Sequence, residues 1–509
     1  MFVRKKKNKS GSVSVQIIDK DNGYKVVRTI GASKDVHEIE RLFLQGKQFI
    51  RSKNPVQPYL LPVISKEDLA IEAFTASLSN AQIHTIGPEL IFGALFDRIG
   101  FAAVDDEMFR HVTIARLVYP VSKIKTIDYL YRYQGIQKSV DSIYRFMDNL
   151  AGTYKEQVGS IAYNYTKRRL GSINVVFYDM TTLYFESEDE DDLRKIGFSK
   201  DGKFQNPQIM LGLLVGEYGL PIGYDIFEGN TFEGHTLLPT LEKIQQKYGF
   251  GKPVVVADAG LLSKQNLRNL ASEKYHFIIG ARLKNEDAQT KLEILCKRSG
   301  MQNGDSFVLE KPTGVRLIVS YSDKRARKDA ANRAKGIKKL RVQIKSNRLT
   351  KEHISNRGYN KFLTMTGETR VEIDEGKIKE DEKWDGLKGY LTNTLLTAPA
   401  IIENYKHLWQ IEKAFRISKT DLRIRPIYHY QRKRIEAHIC IAFVAYTIYK
   451  ELERLLEAGK TGMSPKRAAE LTHTMYEFLY TLPNSREEKR QILKMCPEQQ
   501  TLYNTVVKG

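Results

Sequence analysis

The segment over residues 172–285 constrains the fold most, because its strand and helix patterns follow one another in a definite order. The tract NVVFYDMTTLYF predicts one strand, and PQIMLGLLVGEYGLPIGYDIFEGN predicts a hairpin that turns at Glu217-Tyr218-Gly219. A helix over residues 236–248, a buried strand in PVVVADAG, another helix and the strand YHFIIGAR follow. This order predicts an α/β fold with a mixed sheet and flanking helices.

The segments on either side predict further structural units. Residues 1–65 predict a small hairpin of two strands, SVSVQIID and YKVVRTIG, followed by a charged helix, with DNA contact as one role. Residues 66–170 predict a mostly helical domain. Within it, KTIDYLYRYQGIQKSVDSIYRFMDNL splits at Gly135, which is typical of a DNA-binding helix-turn-helix and equally of two packed helices.

The carboxyl-terminal part of the chain also predicts helices. Apolar spacing indicates one helix over residues 400–419 and a long, buried one over residues 434–455. The last segment, residues 461–509, is predicted to be helical. Its first helix begins at Ser464-Pro465, a capping residue followed by a proline in the first turn.

The chain carries a large excess of positive charge. It has 509 residues, with 81 Lys and Arg against 60 Asp and Glu, a formal net charge of +21. Such a surplus favours nucleic acid as partner, although a merely basic or ribosome-associated protein stays open. Residues 323–361 hold fourteen basic against three acidic residues. A solvated helix face is the alternative, but we predict phosphate contacts there, by Lys338, Lys339 and Arg341.

Cysteine usage and hydropathy point to a cytoplasmic protein. Cys296, Cys440 and Cys496 lie far apart and form no CxxC pair, which fits a reducing compartment. The basic start has no apolar stretch behind it, so it does not resemble a signal peptide. The longest apolar run, over residues 437–449, is too short for a membrane span.

Three carboxylates stand out as candidates for chemistry. Asp179 lies inside an apolar strand, where a lone carboxylate is costly unless it is paired or bound to a cation. Asp258 ends the buried strand VVVA and precedes a glycine turn. For each, a strand-end hydrogen-bond acceptor is the structural alternative. Glu412 shares a helical stripe with Tyr405 and Arg416, which predicts a core-facing glutamate, or alternatively a buried Glu412–Arg416 ion pair.

The three carboxylates together predict a metal site. Two of them come from neighbouring strands and one from a helix that faces the sheet, so they could converge on one point. An all-oxygen set without histidine suits Mg²⁺ or Mn²⁺ rather than zinc. Two such ions in one site would support in-line displacement at phosphorus.

Several tracts, taken in order, resemble a known family. FYDMTTLYFES, GLPIGYDIFEGNT, VVVADAGLLS and YKHLWQIEKAFRISKTDLRIRP are similar to tracts of the DDE transposases of bacterial insertion sequences, over roughly residues 170–460. The resemblance implies a ribonuclease-H-like catalytic domain in two parts, residues 171–285 and 396–460, separated by a basic, β-rich insertion over residues 286–395. It also implies two Mg²⁺ or Mn²⁺ ions per site, held by Asp179, Asp258 and Glu412.

One group of this family carries a Tyr-Arg-Glu-Lys signature. Tyr405, Glu412 and Lys419 fall in register with it, whereas Leu408 stands at the arginine position and Arg416 is a candidate substitute. The resemblance implies cleavage and strand transfer at the terminal inverted repeats of an insertion sequence, by a homodimer in the bacterial cytoplasm. A nuclease of the same fold and an inactive DNA-binding relative are the alternatives. Five residues of this region would contact DNA, namely Tyr405, Arg416, Lys419, Arg423 and Arg425.

Overall fold

The computed structural model describes residues 1–21, 23–53, 65–261, 264–312, 314–346, 348–355, 357–366, 370–481 and 487–509. The end of the tract VVVADAGLLS, residues 262–263, lies outside the described residues, as do residues 54–64 of the predicted amino-terminal unit. The chain divides into two compact units. One comprises Met1–Ile83 with Phe478–Gln491, and the other comprises His84–Glu477 with Ile492–Gly509.

The amino-terminal unit begins with three strands rather than the predicted two. Antiparallel β1 (Phe2–Lys7), β2 (Val13–Asp19) and β3 (Lys25–Ser33) are followed by the helices α1 (Val36–Lys53) and α2 (Lys66–Ala76). The additional strand, FVRKKK, pairs with β2 from Phe2 opposite Ile18 to Lys7 opposite Val13. Its run of lysines hides the alternation of a strand, and edge strands commonly carry such charges.

The predicted helical region is confirmed. After a short strand, β4 (Ile83–Thr85), come α3 (Ala94–Ile99), α4 (Glu107–Val118), α5 (Lys123–Gln134), α6 (Val140–Asn149) and α7 (Lys155–Leu170). The break between α5 and α6 falls at Gly135, whose φ of 67° is a left-handed conformation that suits glycine. Whether these two helices read DNA stays a prediction.

The strands and helices of the central segment appear in the predicted order. They are β5 (Val175–Tyr184), β6 (Gln208–Val215), β7 (Pro221–Glu228), α8 (Leu237–Tyr248), β8 (Val254–Ala257), α9 (Lys264–Ser272) and β9 (His276–Ala281). The predicted hairpin turn is confirmed between β6 and β7, with Tyr218 at a φ of 60°.

The insertion is not the β-rich domain that we expected. It contains α10 (Ala288–Arg298), β10 (Ser306–Glu310), β11 (Arg316–Tyr321), the long α11 (Asp323–Lys345), β12 (Leu363–Thr366), β13 (Arg370–Ile373), α12 (Glu375–Glu382) and β14 (Leu387–Thr392). The basic tract forms a helix because it lacks proline and is rich in Ala, Lys and Arg, which favour helices.

Within the described residues, eight strands form one mixed sheet in the order β10-β11-β14-β9-β8-β5-β6-β7. Strand β8 lies parallel to both β5 and β9, whereas β6 and β7 run antiparallel in a hairpin beside β5. A hairpin next to a parallel trio is the ribonuclease-H-like arrangement that the resemblance implied. Strands β10, β11 and β14 of the insertion extend this sheet beyond β9.

The carboxyl-terminal region departs from prediction in two places. It contains α13 (Ala398–Lys406), α14 (Trp409–Arg416), α15 (Arg432–Ala458), α16 (Pro465–Thr472), β15 (Tyr476–Thr481), β16 (Glu488–Ile492) and α17 (Pro497–Tyr503). The helix predicted over residues 400–419 is therefore broken, and the last segment also contains strands. The Ser464 cap is confirmed, since its side chain accepts a hydrogen bond from the Arg467 amide.

The central sheet is buried on both faces. Alternate residues of β5 enter different cores: Phe177 and Leu183 pack in the cluster that contains α15, and Val176 and Tyr178 pack in the cluster that contains α8. No helix in the described part of the chain is both long and apolar enough to cross a membrane.

Candidate active site

Asp179 and Asp258 lie at the same level on neighbouring parallel strands. Strands β5 and β8 pair with Tyr178 opposite Ala257, so the residue that follows each is the aspartate. Adjacent strands are about 4.8 Å apart, and paired residues point to the same face. The prediction that two carboxylates come from neighbouring strands is therefore confirmed.

The Asp179 carboxylate is poorly solvated. Its side chain is 25% exposed to solvent, and one oxygen accepts a hydrogen bond of 2.7 Å from the Met180 amide. Burial raises the pKa of Asp179 to about 6; the charge of Lys200 and the Met180 bond oppose the rise, and the charges of Glu233 and Asp258 add to it. This carboxylate therefore has little compensation for its negative charge.

Lys200 and Glu233 complete the surroundings of Asp179, and neither was predicted from the sequence. The Lys200 ammonium lies 3.9 Å from an Asp179 oxygen and 2.8 Å from a Glu233 oxygen, and it donates to the Met180 carbonyl at 2.7 Å. Glu233 belongs to a short helical turn after β7, Glu233–His235. A cation thus already lies between two of the carboxylates.

Asp258 is held by Tyr405. The Tyr405 hydroxyl donates a hydrogen bond of 3.0 Å to an Asp258 oxygen, and burial together with that carboxylate raises the pKa of the phenol. Tyr405 is only 5% exposed, and the Lys388 ammonium lies 4.3 Å from the centre of its ring. The predicted direct contact of Tyr405 with DNA does not fit this burial, so we revise its role to that of positioning Asp258.

Glu412 is exposed, which corrects the prediction of a core-facing glutamate. The helix ends at Lys406 and restarts at Trp409, so the stripe from Tyr405 onward is not continuous. The buried face of α14 consists of Ile411, Ala414 and Phe415.

The same break corrects the prediction that Leu408 and Arg416 share one helix face, while the role of Arg416 as substitute for the missing arginine stays a prediction. Leu408 is buried at the break, whereas Arg416 is exposed on α14, so the two side chains do not share a face. Since Glu412 and Arg416 both face solvent, the structure also gives no buried ion pair between them.

Glu412 nevertheless belongs to the same neighbourhood as Asp258. The charges of both carboxylates act on Lys388. Burial lowers the pKa of Lys388 below its usual value, and the charges of Asp258 and Glu412 partly oppose that fall. Both also raise the pKa of Tyr405. In the part of the chain that the structure describes, however, no three His, Cys, Asp or Glu side chains stand close enough to hold one metal ion.

The donor set fits a hard divalent cation by its chemistry. Asp179 and Asp258 offer carboxylate oxygens from one edge of the sheet, and the charge on Asp179 is disfavoured by burial and by neighbouring carboxylates. Mg²⁺ and Mn²⁺ prefer oxygen ligands and would relieve that repulsion. The position of the Lys200 ammonium between Asp179 and Glu233 indicates that this region attracts positive charge.

The predicted DNA-binding residues after α14 lie beside the same region. Lys419 and Arg425 both form ion pairs with Asp201, the former at 3.3 Å, and Asp201 follows Lys200 directly. Arg423 is exposed and has a φ of 46°. The loop that carries Lys200 and Asp201 thus connects the carboxylates to two of the predicted phosphate contacts.

The basic helix α11 borders a cleft that reaches Asp258. The cleft has a volume of about 610 Å³, and Asp258, Lys388 and Tyr405 line it together with Arg325 of α11. Lys338, Lys339 and Arg341 are exposed farther along that helix, and Arg341 contacts Glu375 at 3.4 Å. A helix of this length extends about 35 Å.

Comparison with known proteins identifies the family. A family profile described as "Transposase DDE domain" matches residues 171–448. Sequence comparison with curated proteins gives no match. Among solved structures, the piggyBac transposase synaptic complex with hairpin DNA is 9% identical, with a TM-score of 0.40, covering 80% of this chain and 78% of that one.

A second solved structure is the Mos1 transposase paired-end complex with left transposon end. It is 14% identical, with a TM-score of 0.16, and the match covers 46% of this chain and 66% of that chain. The family match, in contrast, spans more than half of the chain and includes the positions of Asp179, Asp258 and Glu412. The chain therefore belongs to the family of transposases with a DDE domain, and it is a DNA transposase.

Proposed function

We propose that this transposase cleaves and joins double-stranded DNA at the terminal inverted repeats of an insertion sequence, with Asp179, Asp258 and Glu412 as the metal-binding carboxylates. The observation that carries the proposal is the register of β5 and β8, which brings the two aspartates side by side. The unfavourable charge on Asp179 supports a cation as the missing partner.

Each residue of the site has a definite task in this proposal. Two bound Mg²⁺ or Mn²⁺ ions would supply activation of the attacking hydroxyl and neutralise charge at the phosphate. Tyr405 holds Asp258 in one orientation through its hydrogen bond. With a metal ion on Asp179, Lys200 would keep its 2.8 Å contact with Glu233 in place of the 3.9 Å contact with Asp179. Glu412 approaches from α14, which packs on β5.

The DNA path in this proposal runs along the basic surfaces beside the carboxylates. Lys338, Lys339 and Arg341 of α11 contact the phosphate backbone on one side. Lys419 and Arg425 contact it on the other, where DNA phosphates replace Asp201 as their partner, and Arg423 and Arg416 are exposed nearby. Tyr405, Glu412 and Lys419 support membership of the Tyr-Arg-Glu-Lys group of bacterial insertion-sequence transposases, from which Leu408 is a departure.

The test is a strand-transfer assay with purified protein, Mg²⁺ or Mn²⁺, and DNA that carries the terminal repeats. Cleavage at the repeats followed by joining to target DNA supports the proposal. Nicking of any DNA without joining indicates a nuclease of the same fold. Binding without cleavage in either metal indicates an inactive, transposase-derived DNA-binding protein.

Matched variants identify the third carboxylate. Glu412→Gln should abolish cleavage, and Glu233→Gln should retain it, because Glu233 is engaged by Lys200. Asp189→Asn, in an exposed acidic run, is the control for the loss of one negative charge. Loss of cleavage in Glu233→Gln together with full activity in Glu412→Gln would replace Glu412 by Glu233 as the third ligand.

We further propose that the active form is a homodimer in the bacterial cytoplasm that pairs two DNA ends. The mass of the complex with repeat DNA, measured by light scattering, should correspond to two chains with two ends. A complex of one chain with two ends would contradict a dimer.

A further inference from the structure

A second cleft, apart from the carboxylates, is lined by buried basic side chains. It has a volume of about 530 Å³ and lies between the start of α5, the segment that precedes α15, and α15 itself. Its lining includes Arg116 of α4, Lys123 of α5, His438 of α15 and, just before that helix, His429. Neither Asp nor Glu is present among the described residues of its lining.

Three of these four basic groups are almost fully buried, and His429 is half-buried. Arg116 and His438 are each 6% exposed, and Lys123 is 4% exposed. Among the described residues, the Arg116 guanidinium reaches two backbone carbonyls, those of Leu422 at 3.4 Å and Arg423 at 3.5 Å, and both distances are at the limit of hydrogen bonding.

Two polar atoms in the cleft have no hydrogen-bond partner among the described residues, namely Nζ of Lys123 and Nδ1 of His438. The other ring nitrogen of His438 lies 2.8 Å from the Ile424 carbonyl. Because a carbonyl only accepts, Nε2 of His438 donates, and Nδ1 of the neutral ring is an acceptor that an anion would not satisfy. Buried polar groups in folded proteins are nearly always satisfied, so the unpartnered Lys123 amine in this cleft indicates a partner that the described residues do not supply.

The pKa shifts of the basic side chains in the cleft also indicate a missing anionic partner. Burial lowers the pKa of Arg116 to about 10, and burial together with the charge of Arg116 lowers the pKa of Lys123 well below its usual range. Burial and the nearby cations Lys123, Arg116 and Arg434 lower the pKa of His429 to about 3. An anion in the cleft would compensate these charges.

We propose that this cleft binds a phosphate group. The buried Lys123 and Arg116 provide its charge partners, and the amino-terminal end of α5, capped by Ser122, adds backbone amides of favourable polarity. Lys125, Arg423 and Tyr428 are exposed residues of the same lining, so the cleft opens to solvent beside basic side chains. Arg425 lines it too, while Arg434 is paired with Asp148 at 3.0 Å.

The phosphate has two possible sources, a DNA backbone or a free phosphate ion or ester. The DNA source rests on the proposed function, because Arg425 belongs both to this cleft and to the Asp201 ion pair beside the active site. A phosphate bound here would fix DNA at a second point, away from the carboxylates. The free ion would instead act on folding stability alone.

The first experiment measures thermal unfolding of the metal-free full-length protein in sodium phosphate and in sodium chloride of equal ionic strength. Phosphate should raise the Tm of the wild type by about 2 °C or more, because a ligand that binds only the folded state stabilises it. The shift should vanish in Lys123→Met and persist in Lys123→Arg. It should also persist in Lys167→Met, which removes an exposed helical lysine with no described partner.

Lys123→Met should fold at least as well as the wild type in chloride, since it removes a buried amine that has no hydrogen-bond partner among the described residues. If that variant does not fold, the wild-type titration alone decides. A wild type whose Tm is equal in phosphate and chloride, and whose DNA binding resists competition by phosphate, overturns the proposal.

The second experiment separates the two sources by the salt dependence of duplex DNA binding. If the cleft takes a backbone phosphate, Lys123→Met should lower the slope of log affinity against log salt by about 0.9 relative to Lys167→Met. If Lys123→Met leaves this slope unchanged while phosphate still raises the Tm of the wild type, the cleft binds free phosphate. The phosphate shift should persist in Asp179→Asn, so failure of this site and failure of the catalytic proposal are distinguishable.

Discussion

Asp179→Asn should stabilise the metal-free protein at alkaline pH. The folded state raises the pKa of Asp179 from 3.8 to about 6, chiefly by burial. The folded protein therefore holds this proton more tightly than the unfolded chain, and wild-type stability falls as pH rises from about 4 to about 6. A shift of that size corresponds to about 3 kcal/mol, an upper bound because a quarter of the side chain stays exposed.

Asparagine preserves the shape of the side chain and can still accept the Met180 amide bond, while Lys200 keeps its 2.8 Å contact with Glu233. We expect Asp179→Asn to be more stable than the wild type by up to about 3 kcal/mol at about pH 8, and similar to it at about pH 4. Urea unfolding in EDTA at both pH values measures the difference. If Asp179→Asn is no more stable than the wild type at about pH 8, Asp179 does not carry a desolvated charge. Asp189→Asn is the control for the loss of one exposed negative charge.

Three further changes probe the surroundings of the carboxylates. Tyr405→Phe removes the bond that orients Asp258, so the single-turnover cleavage rate should fall roughly tenfold with unchanged DNA affinity; an unaltered rate would remove Tyr405 from the site. Lys200→Met removes a cation 3.9 Å from Asp179, so the pKa of Asp179 should rise further and the pH-dependent loss of stability should extend to higher pH. Unfolding titrations in which stability is lost over the same pH range as in the wild type would contradict this. Lys338→Met with Lys339→Met should lower the salt slope of DNA binding by about 0.9 for each DNA phosphate that these lysines neutralise; an unchanged slope excludes this part of α11 from the interface.

The two aspartates were predictable because their signals are local. Asp179 interrupts an alternating apolar strand, and Asp258 follows the last residue of a buried one, so the sequence indicates a face for the first and a strand end for the second. Strand pairing then required only that β5 and β8 be neighbours, which the structure confirms.

The environment of Glu412 was not predictable in the same way. The sequence between Lys406 and Trp409 contains neither glycine nor proline, so nothing in it signals that one helix ends and another begins. The new helix presents Ile411 and Ala414 to the core and leaves Glu412 in solvent. Helical spacing counted from Tyr405 across this break therefore does not give the face on which Glu412 lies.

The remaining partners depend on tertiary structure. Lys200 and Glu233 lie in connecting segments 21 and 54 positions after Asp179 and reach it only through the fold. In the same way, no local pattern indicates that β14 pairs with β9, which extends the sheet into the insertion.

Mn²⁺ binding tests the central claim, a divalent cation held by Asp179 and Asp258, most directly. Electron paramagnetic resonance of free Mn²⁺, titrated into the full-length protein, reports binding without DNA and without catalysis. We predict saturable binding to the wild type and to Asp189→Asn, weakened at least about tenfold in Asp179→Asn and in Asp258→Asn. Equal Mn²⁺ affinity in the wild type and both of these variants would contradict the account.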